Sequence, residues 1–200
     1  DLIVINSCAV TAEAERQARQ IIRQAAKRRP NARIIVTGCA AQIAPQQFRE
    51  MPEVLRVVGN ADKRTRHSFL GNQSSFPLTD IFSITDVLQP VVSGLDHARA
   101  FIEIQNGCDH RCTFCTIPFG RGNSRSVPAG LVIDAIKTAL VRGHQEVVLT
   151  GVDLTSYGPD LPGSPTLGLL IERILNSVPQ LKRLRLSSLD SIEIDDRLID

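Results

Sequence analysis

The residues best suited to chemistry in this 200-residue chain are three cysteines spaced Cys108-x₃-Cys112-x₂-Cys115. Carried on one irregular loop, three thiolates can converge on a single cubic iron–sulfur cluster and ligate three of its four irons. The fourth iron stays open. An open iron can chelate the amino and carboxylate groups of S-adenosylmethionine and place the sulfonium next to an electron source. The competing readings are inert buried cysteines or a zinc site. Structural zinc takes four ligands, usually as paired Cys-x₂-Cys knuckles, and His110 is available here only as a single extra one. Thiolate ligation makes cluster binding pH-dependent, because the ligands must lose their protons.

Cys8 and Cys39 stand apart from the triplet, and a total of five cysteines does not make a fully paired disulfide framework. Reduced intracellular thiols fit better. Both residues follow strand-like runs. Residues 2–5 and 33–37 are continuous and β-branched, with a helical pattern over 12–29 between them, which is a βαβ unit. Continuous apolar strands predict burial on both faces, as in a parallel sheet covered by helices, with a right-handed crossover. Neighbouring strands would then bring Cys8 and Cys39 together in the crevice where open α/β sheets bind ligands. Pro45 opens a short helix through Met51, and residues 54–59 read as a third strand, so the first domain is a small doubly wound α/β unit over 1–65. The bland alternative is that Cys8 and Cys39 are buried small hydrophobes.

Residues 66–97 read as a linker, because Ser74, Ser75, Pro77, Pro90, Ser93 and Gly94 interrupt any sustained period, with at most one short element over 80–88. Strand and helix then alternate: strand 100–105, helix 128–142, strand 146–150, helix 167–177 and strand 183–188. Residues 98–200 are thus the first part of a (β/α) barrel. A complete eightfold barrel needs about 250 residues, so the remainder is expected downstream. Pro128 suits a first helical turn, where its missing N–H would have been unpaired anyway. The cysteine triplet falls in the long loop after the first barrel strand, at the end where barrel active sites form.

The triplet with Phe114 before its last cysteine resembles the signature of the radical S-adenosylmethionine superfamily. The wider run from Gln105 to Pro118, followed by Arg121 to Ser126, resembles the methylthiotransferases of that superfamily, as do Asn6-Ser7-Cys8-Ala9-Val10-Thr11 and Thr37-Gly38-Cys39-Ala40-Ala41-Gln42. The resemblance implies two 4Fe-4S clusters. Cys108, Cys112 and Cys115 would hold the radical cluster, while Cys8 and Cys39 would hold an auxiliary one whose third ligand is expected before residue 1. It also implies an adenine contact for Phe114 and cofactor contacts near Gly151, Asp153 and Tyr157 at the end of the second barrel strand. Ser187, Ser188 and Asp190, ending the third, are comparable candidates. Arg121 and Arg125, flanking Gly122, are placed to meet a substrate or cofactor carboxylate.

Within the family, the runs Cys8 to Gln20 and Gly151 to Gly158 look most like the enzymes that add a methylthio group to carbon 2 of N6-threonylcarbamoyladenosine beside the anticodon of tRNA. Related enzymes modify isopentenyladenosine in tRNA or an aspartate of a ribosomal protein, and a non-catalytic metal module is the remaining alternative. Such an enzyme uses one S-adenosylmethionine as methyl donor and a second as the source of a 5′-deoxyadenosyl radical, and it needs a reducing electron donor. Composition neither adds nor removes a partner. With 42% hydrophobic and 22% charged residues and a net charge of +2, the chain is an ordinary globular one without the basic excess of a dedicated nucleic-acid binder. Arg16, Arg19, Arg23 and Lys27 share one helix face that would suit either a phosphate backbone or solvent. No bilayer-spanning run and no secretory signal are apparent, so a cytoplasmic location is expected. The chain opens without Met and stops in a charged segment, and is read as a fragment of a longer protein.

Overall fold

β-Branched runs become strands because their side chains pack well on a pleated, half-buried surface. The computed structural model describes residues 1–70, 78–85, 89–94, 97–191 and 193–199. Ser74, Ser75 and Pro77, and the end of the element expected over 80–88, lie outside the described residues. The chain divides into two units, residues 1–84 with 110–122 and residues 85–109 with 123–200.

The first unit contains β1 (Leu2–Ser7), α1 (Ala12–Arg28), β2 (Arg33–Gly38), α2 (Cys39–Ile43), α3 (Pro45–Arg49), β3 (Val54–Val57), α4 (His67–Leu70) and α5 (Ile117–Arg121). The side chain of Thr11 caps α1 by accepting from the Ala14 N–H, and Lys27 and Arg28 face the negative end of its dipole. The three strands are parallel in the order β1-β2-β3. Their core is built on Ile5, Ile34 and Val36, with Ala18 and Ile22 from α1 and Phe48 from α3. Burial on both faces holds for β2, whose residues after Arg33 are all buried, but not for β1. There Ile5 faces the core while Val4, pointing the other way, is 46% exposed. The short helix α2 was not apparent in the sequence. It begins directly after Gly38, whose φ of 102° belongs to the region that favours glycine, and a Cβ there would come within 2.1 Å of the Ser7 carbonyl oxygen.

The second unit contains β4 (Val91–Ser93), β5 (Arg99–Glu103), β6 (Gln105–Asn106), β7 (Arg125–Ser126), α6 (Ala129–Val141), β8 (Glu146–Thr150), α7 (Leu167–Ser177), β9 (Arg183–Leu186) and α8 (Asp196–Ile199). Its main sheet has the order β4-β5-β8-β9, in which β5, β8 and β9 run parallel. The antiparallel edge strand β4 falls in the stretch that reads as linker. The single strand expected over 100–105 is divided. The Ile104 N–H still bonds the Thr150 carbonyl at 2.9 Å, and then Gln105 and Asn106 turn away to pair with β7. Pro128 lies just before α6 with ψ of 139°, so the helix proper starts one residue later.

Ile102, Val147 and Leu149 face Ile136 of α6 and Leu170 and Ile174 of α7, all of them buried. The alternate residues of these strands include the charged Arg99, Glu103, Glu146, Arg183 and Arg185. Register places Glu146 opposite Arg99 on one side and Arg183 on the other. Its carboxylate ion-pairs with Arg99 at 3.5 Å, Arg183 at 3.0 Å and Arg185, and its side chain is 12% exposed. Desolvation pushes the Glu146 pKa up, but the hydrogen bonds and charges of the three arginines outweigh it and hold the group below its ordinary 4.5. A depressed carboxylate pKa means that the unfolded chain binds the extra proton first. Stability from this group is therefore present above pH 4.5 and is lost as pH falls through the depressed value. Acid unfolding of Glu146→Gln should lack that component, and matching acid limbs for variant and parent would show that the cluster contributes nothing.

Candidate metal centre

Parallel pairing sets the positions of the two separate cysteines. The β1–β2 register runs through Ser7↔Gly38, so Cys8 and Cys39 are the next residues after the paired strand ends. The Ser7 hydroxyl binds this end together, donating to the Thr37 carbonyl at 2.6 Å and accepting from the Ala41 N–H at 3.0 Å. Cys8 is exposed and Cys39 is buried. The sulfur of Cys39 accepts from Arg121 Nε at 3.2 Å and from Asn60 Nδ2 at 3.5 Å. A Cβ at Gly120 would lie 2.9 Å from the Cys39 Cβ, so α5 reaches Cys39 only because that position is glycine. The hydroxyl of Thr116 donates to the carbonyl of Ala9, the residue after Cys8, at 3.2 Å. The segment after Cys115 thus engages the chain beside both separate cysteines.

The triplet loop is shared between the units. Cys112 and Cys115 belong to the first, where the Cys115 N–H donates to the Cys112 carbonyl at 3.0 Å, and Arg111 stacks its guanidinium 5.7 Å from the centre of the Phe82 ring. Phe114 is 88% exposed, which leaves its ring available to a flat ligand. Cys108 belongs to the second unit and donates to Asp153 Oδ2 at 3.5 Å. All five cysteines are free thiols.

Gln105 positions the second unit's share of the site. Its amide is fully buried. The oxygen accepts from the N–H groups of Val152 at 2.9 Å and Asp153 at 2.8 Å. The nitrogen donates to the Gly107 carbonyl at 2.8 Å and the Ser124 hydroxyl at 2.9 Å. One side chain therefore joins the start of the cysteine loop, its return and the end of β8. Asp109 adds a second tie by accepting from the Ser124 N–H at 2.9 Å. The close approach expected at Gly151 takes this form: a Cβ there would come within 2.9 Å of Gln105 Oε1. Nothing in an apolar strand period singles out Gln105. It shares the strand phase of Arg99 and Glu103 rather than that of the buried Ala100, Ile102 and Ile104, so the alternation predicts an outward side chain there.

The other expected residues are distributed around this end of the sheet. Ser187, just past β9, is half-buried and donates its N–H to the Leu149 carbonyl at 3.0 Å, whereas Asp190 is exposed. Arg125 is half-buried on β7, opposite Asn106. Tyr157 is buried, and its hydroxyl donates to the Val127 carbonyl at 2.6 Å. Burial pushes its pKa up, with the charge of Asp160 adding to the effect. A carboxylate absent from the expectations, Glu193, accepts from the hydroxyls of Thr155 at 2.9 Å and Ser156 at 3.2 Å and holds the loop after β8. Among the described residues no helix is long and apolar enough to cross a membrane.

Residues 102–192 match the model of the radical SAM superfamily, and residues 1–59 match that of the uncharacterized protein family UPF0004. The chain thus carries a UPF0004 domain ahead of a radical SAM domain. Its relatives over the full chain include methylthiotransferases. It is 49% identical over 201 residues to threonylcarbamoyladenosine tRNA methylthiotransferase MtaB of Rickettsia prowazekii, covering 100% of this chain and 48% of that protein. It is 37% identical over 205 residues to the protein of the same name from Aquifex aeolicus, covering 100% of this chain and 49% of that protein. It is 32% identical over 196 residues to ribosomal protein uS12 methylthiotransferase RimO of Citrifermentans bemidjiense, covering 93% of this chain and 43% of that one. The chain spans about half the length of the curated relatives it matches. A radical SAM domain implies a 4Fe-4S cluster and S-adenosylmethionine, and the three loop thiols fit such a cluster.

Replacing Gln105 with Leu leaves two backbone N–H groups and a carbonyl without their partner. Leaving buried polar groups unpaired costs about 2–3 kcal/mol in such cases. Urea denaturation should show a loss of that size in Gln105→Leu and one at least as large in Gln105→Glu, which keeps acceptor oxygens but loses the amide donors and buries a carboxylate without a counter-charge. Equal stability of Gln105→Leu and the parent would contradict the role given to this amide.

Proposed function

We propose that this chain belongs to an enzyme that adds a methylthio group to carbon 2 of N6-threonylcarbamoyladenosine in tRNA. What carries the reading is similarity, over the whole of this chain and about half of theirs, to proteins named for that activity, in a chain with both a three-thiol loop and two cysteines just past the paired ends of β1 and β2. Residues 1–65 form the domain that carries Cys8 and Cys39, residues 66–97 connect it, and residues 98–200 supply the first βα units of the radical domain.

Cys108, Cys112 and Cys115 hold a 4Fe-4S cluster, and Cys8 and Cys39 hold a second with a third ligand from outside this chain. When bound, the groups supply a reductively generated radical at one cluster and a sulfur-transfer site at the other. The protein's own part is positioning. Asp153, whose backbone N–H is fixed by Gln105, accepts from the cofactor's ammonium, and Gly151 keeps the approach to the strand end open. Ser187 and Asp190 offer hydroxyl and carboxylate to the ribose, exposed Phe114 stacks on the adenine, and Arg125 meets a carboxylate such as the threonyl group of the substrate. The reading includes tRNA and a low-potential electron donor as partners, and a cytoplasmic location.

The full-length protein reconstituted without oxygen should hold about eight irons, and Cys112→Ala should lose about half of them. Retention of all the iron would overturn the assignment of the triplet. Cells lacking the gene should lose 2-methylthio-N6-threonylcarbamoyladenosine from tRNA hydrolysates analysed by mass spectrometry. If that nucleoside persists while a ribosomal-protein aspartate loses its methylthio group, the substrate is a protein, as the name of the RimO relative would suggest.

A further inference from the structure

The geometry points to Arg121 and Asn60 as the residues that set the reduction potential of the cluster held by Cys39, through hydrogen bonds to its sulfur. The inference rests on the two-cluster reading. Its observations lie within the first unit, and none involves the triplet thiols themselves.

Arg121 closes α5, six residues past Cys115, and its Nε lies 3.2 Å from the Cys39 sulfur. Asn60 approaches the same sulfur at 3.5 Å, and its amide also donates to the Gly120 carbonyl. Asn60 is itself held in place, because its backbone N–H donates to Gln42 Oε1 at 2.9 Å. The sulfur is buried, and Gly120 is the only residue type that lets α5 come so near, since any Cβ would meet Cys39. A side chain that merely filled space would not need a guanidinium at this point, and a buried cysteine serving as a small hydrophobe would not need two N–H donors. Directed donors suit the electron-rich sulfur of a metal-bound thiolate, which keeps lone pairs after ligation.

The consequence is electronic. Reducing a 4Fe-4S cluster by one electron, with no proton transferred, adds one negative charge that is spread over irons and sulfurs. N–H donors and a nearby positive charge stabilise the reduced form more than the oxidised form and raise the potential. Removing the arginine should lower it. A charge-assisted hydrogen bond that differs in strength between two charge states changes their ratio by about tenfold.

The test uses the full-length protein with Cys108, Cys112 and Cys115 replaced by Ala, so that only the cluster at Cys39 gives a signal. Iron and sulfide content and an EPR-monitored titration with a low-potential reductant are measured for Arg121→Met, Arg121→Lys and Asn60→Leu. Arg121→Met should keep its iron and show about tenfold less reduced cluster at a fixed potential. Arg121→Lys, which keeps the charge without the Nε donor, should fall between Met and parent, and Asn60→Leu should give a smaller shift in the same direction. If Arg121→Met takes up no cluster, the Lys variant decides: a potential below the parent's supports the assignment and an equal one overturns it. An unchanged titration in Arg121→Met, in a background where Cys39→Ala removes the iron, refutes the role of Arg121 alone. Retention of the iron by Cys39→Ala removes the auxiliary cluster reading and this inference with it.

Discussion

A single buried amide governs the second unit. A strand end leaves backbone N–H groups that must find acceptors, and an irregular loop leaves carbonyls that must find donors. Gln105 offers one of each, and both are used twice: its oxygen serves Val152 and Asp153, and its nitrogen serves Gly107 and Ser124. A charged residue could not be buried there without a counter-charge, and an apolar one could not satisfy the groups. That constraint explains several neighbouring features. Gly151 must lack a side chain to admit the amide. The first barrel strand must leave the sheet at Ile104 so that residue 105 turns inward. The loop therefore has fixed ends although Cys112 within it is exposed.

The first unit solves a similar problem differently. Parallel pairing alone sets Cys8 and Cys39 just past the paired strand ends, and Gly38 permits the turn that starts α2 without displacing Ser7. Thr116 and Arg121, both downstream of the triplet, bond to Ala9 and to Cys39. Ten residues of chain from Cys112 to Arg121 thereby connect the end of the triplet to the surroundings of Cys8 and Cys39. Displacement of that segment would be felt beside Cys8 and at Cys39 together, since it contacts both.

Much of this was legible in the sequence, and the reasons separate by range. Local signals sufficed for the long elements. The amphipathic period over 12–29 became α1 at Ala12–Arg28, and the strand over 146–150 and the helix over 167–177 were found as read. The cysteine spacing was likewise a local signal. What escaped were features decided by distant partners. The five-residue α2 has no period to display, and β4 is a three-residue strand that exists because β5 offers it an edge. The exposure of Val4 depends on what covers each face of β1, which its apolar run does not reveal. Gln105, Asn60 and Glu193 bond to partners as far as 48, 60 and 38 positions away in sequence, which a local window does not reveal.

This contrast bears on how the site is built. The thiols lie just past strand ends and on one loop, at positions that local sequence patterns reveal. The groups that hold those positions are single polar residues in apolar surroundings, set by three-dimensional packing and identifiable only from it. Reaction chemistry can therefore be inferred from the first set while the arrangement of the backbone depends on the second. A substitution among the buried polar residues should alter the site without touching a ligand, because each unpaired donor or acceptor would pull the backbone that carries the ligands toward a new partner.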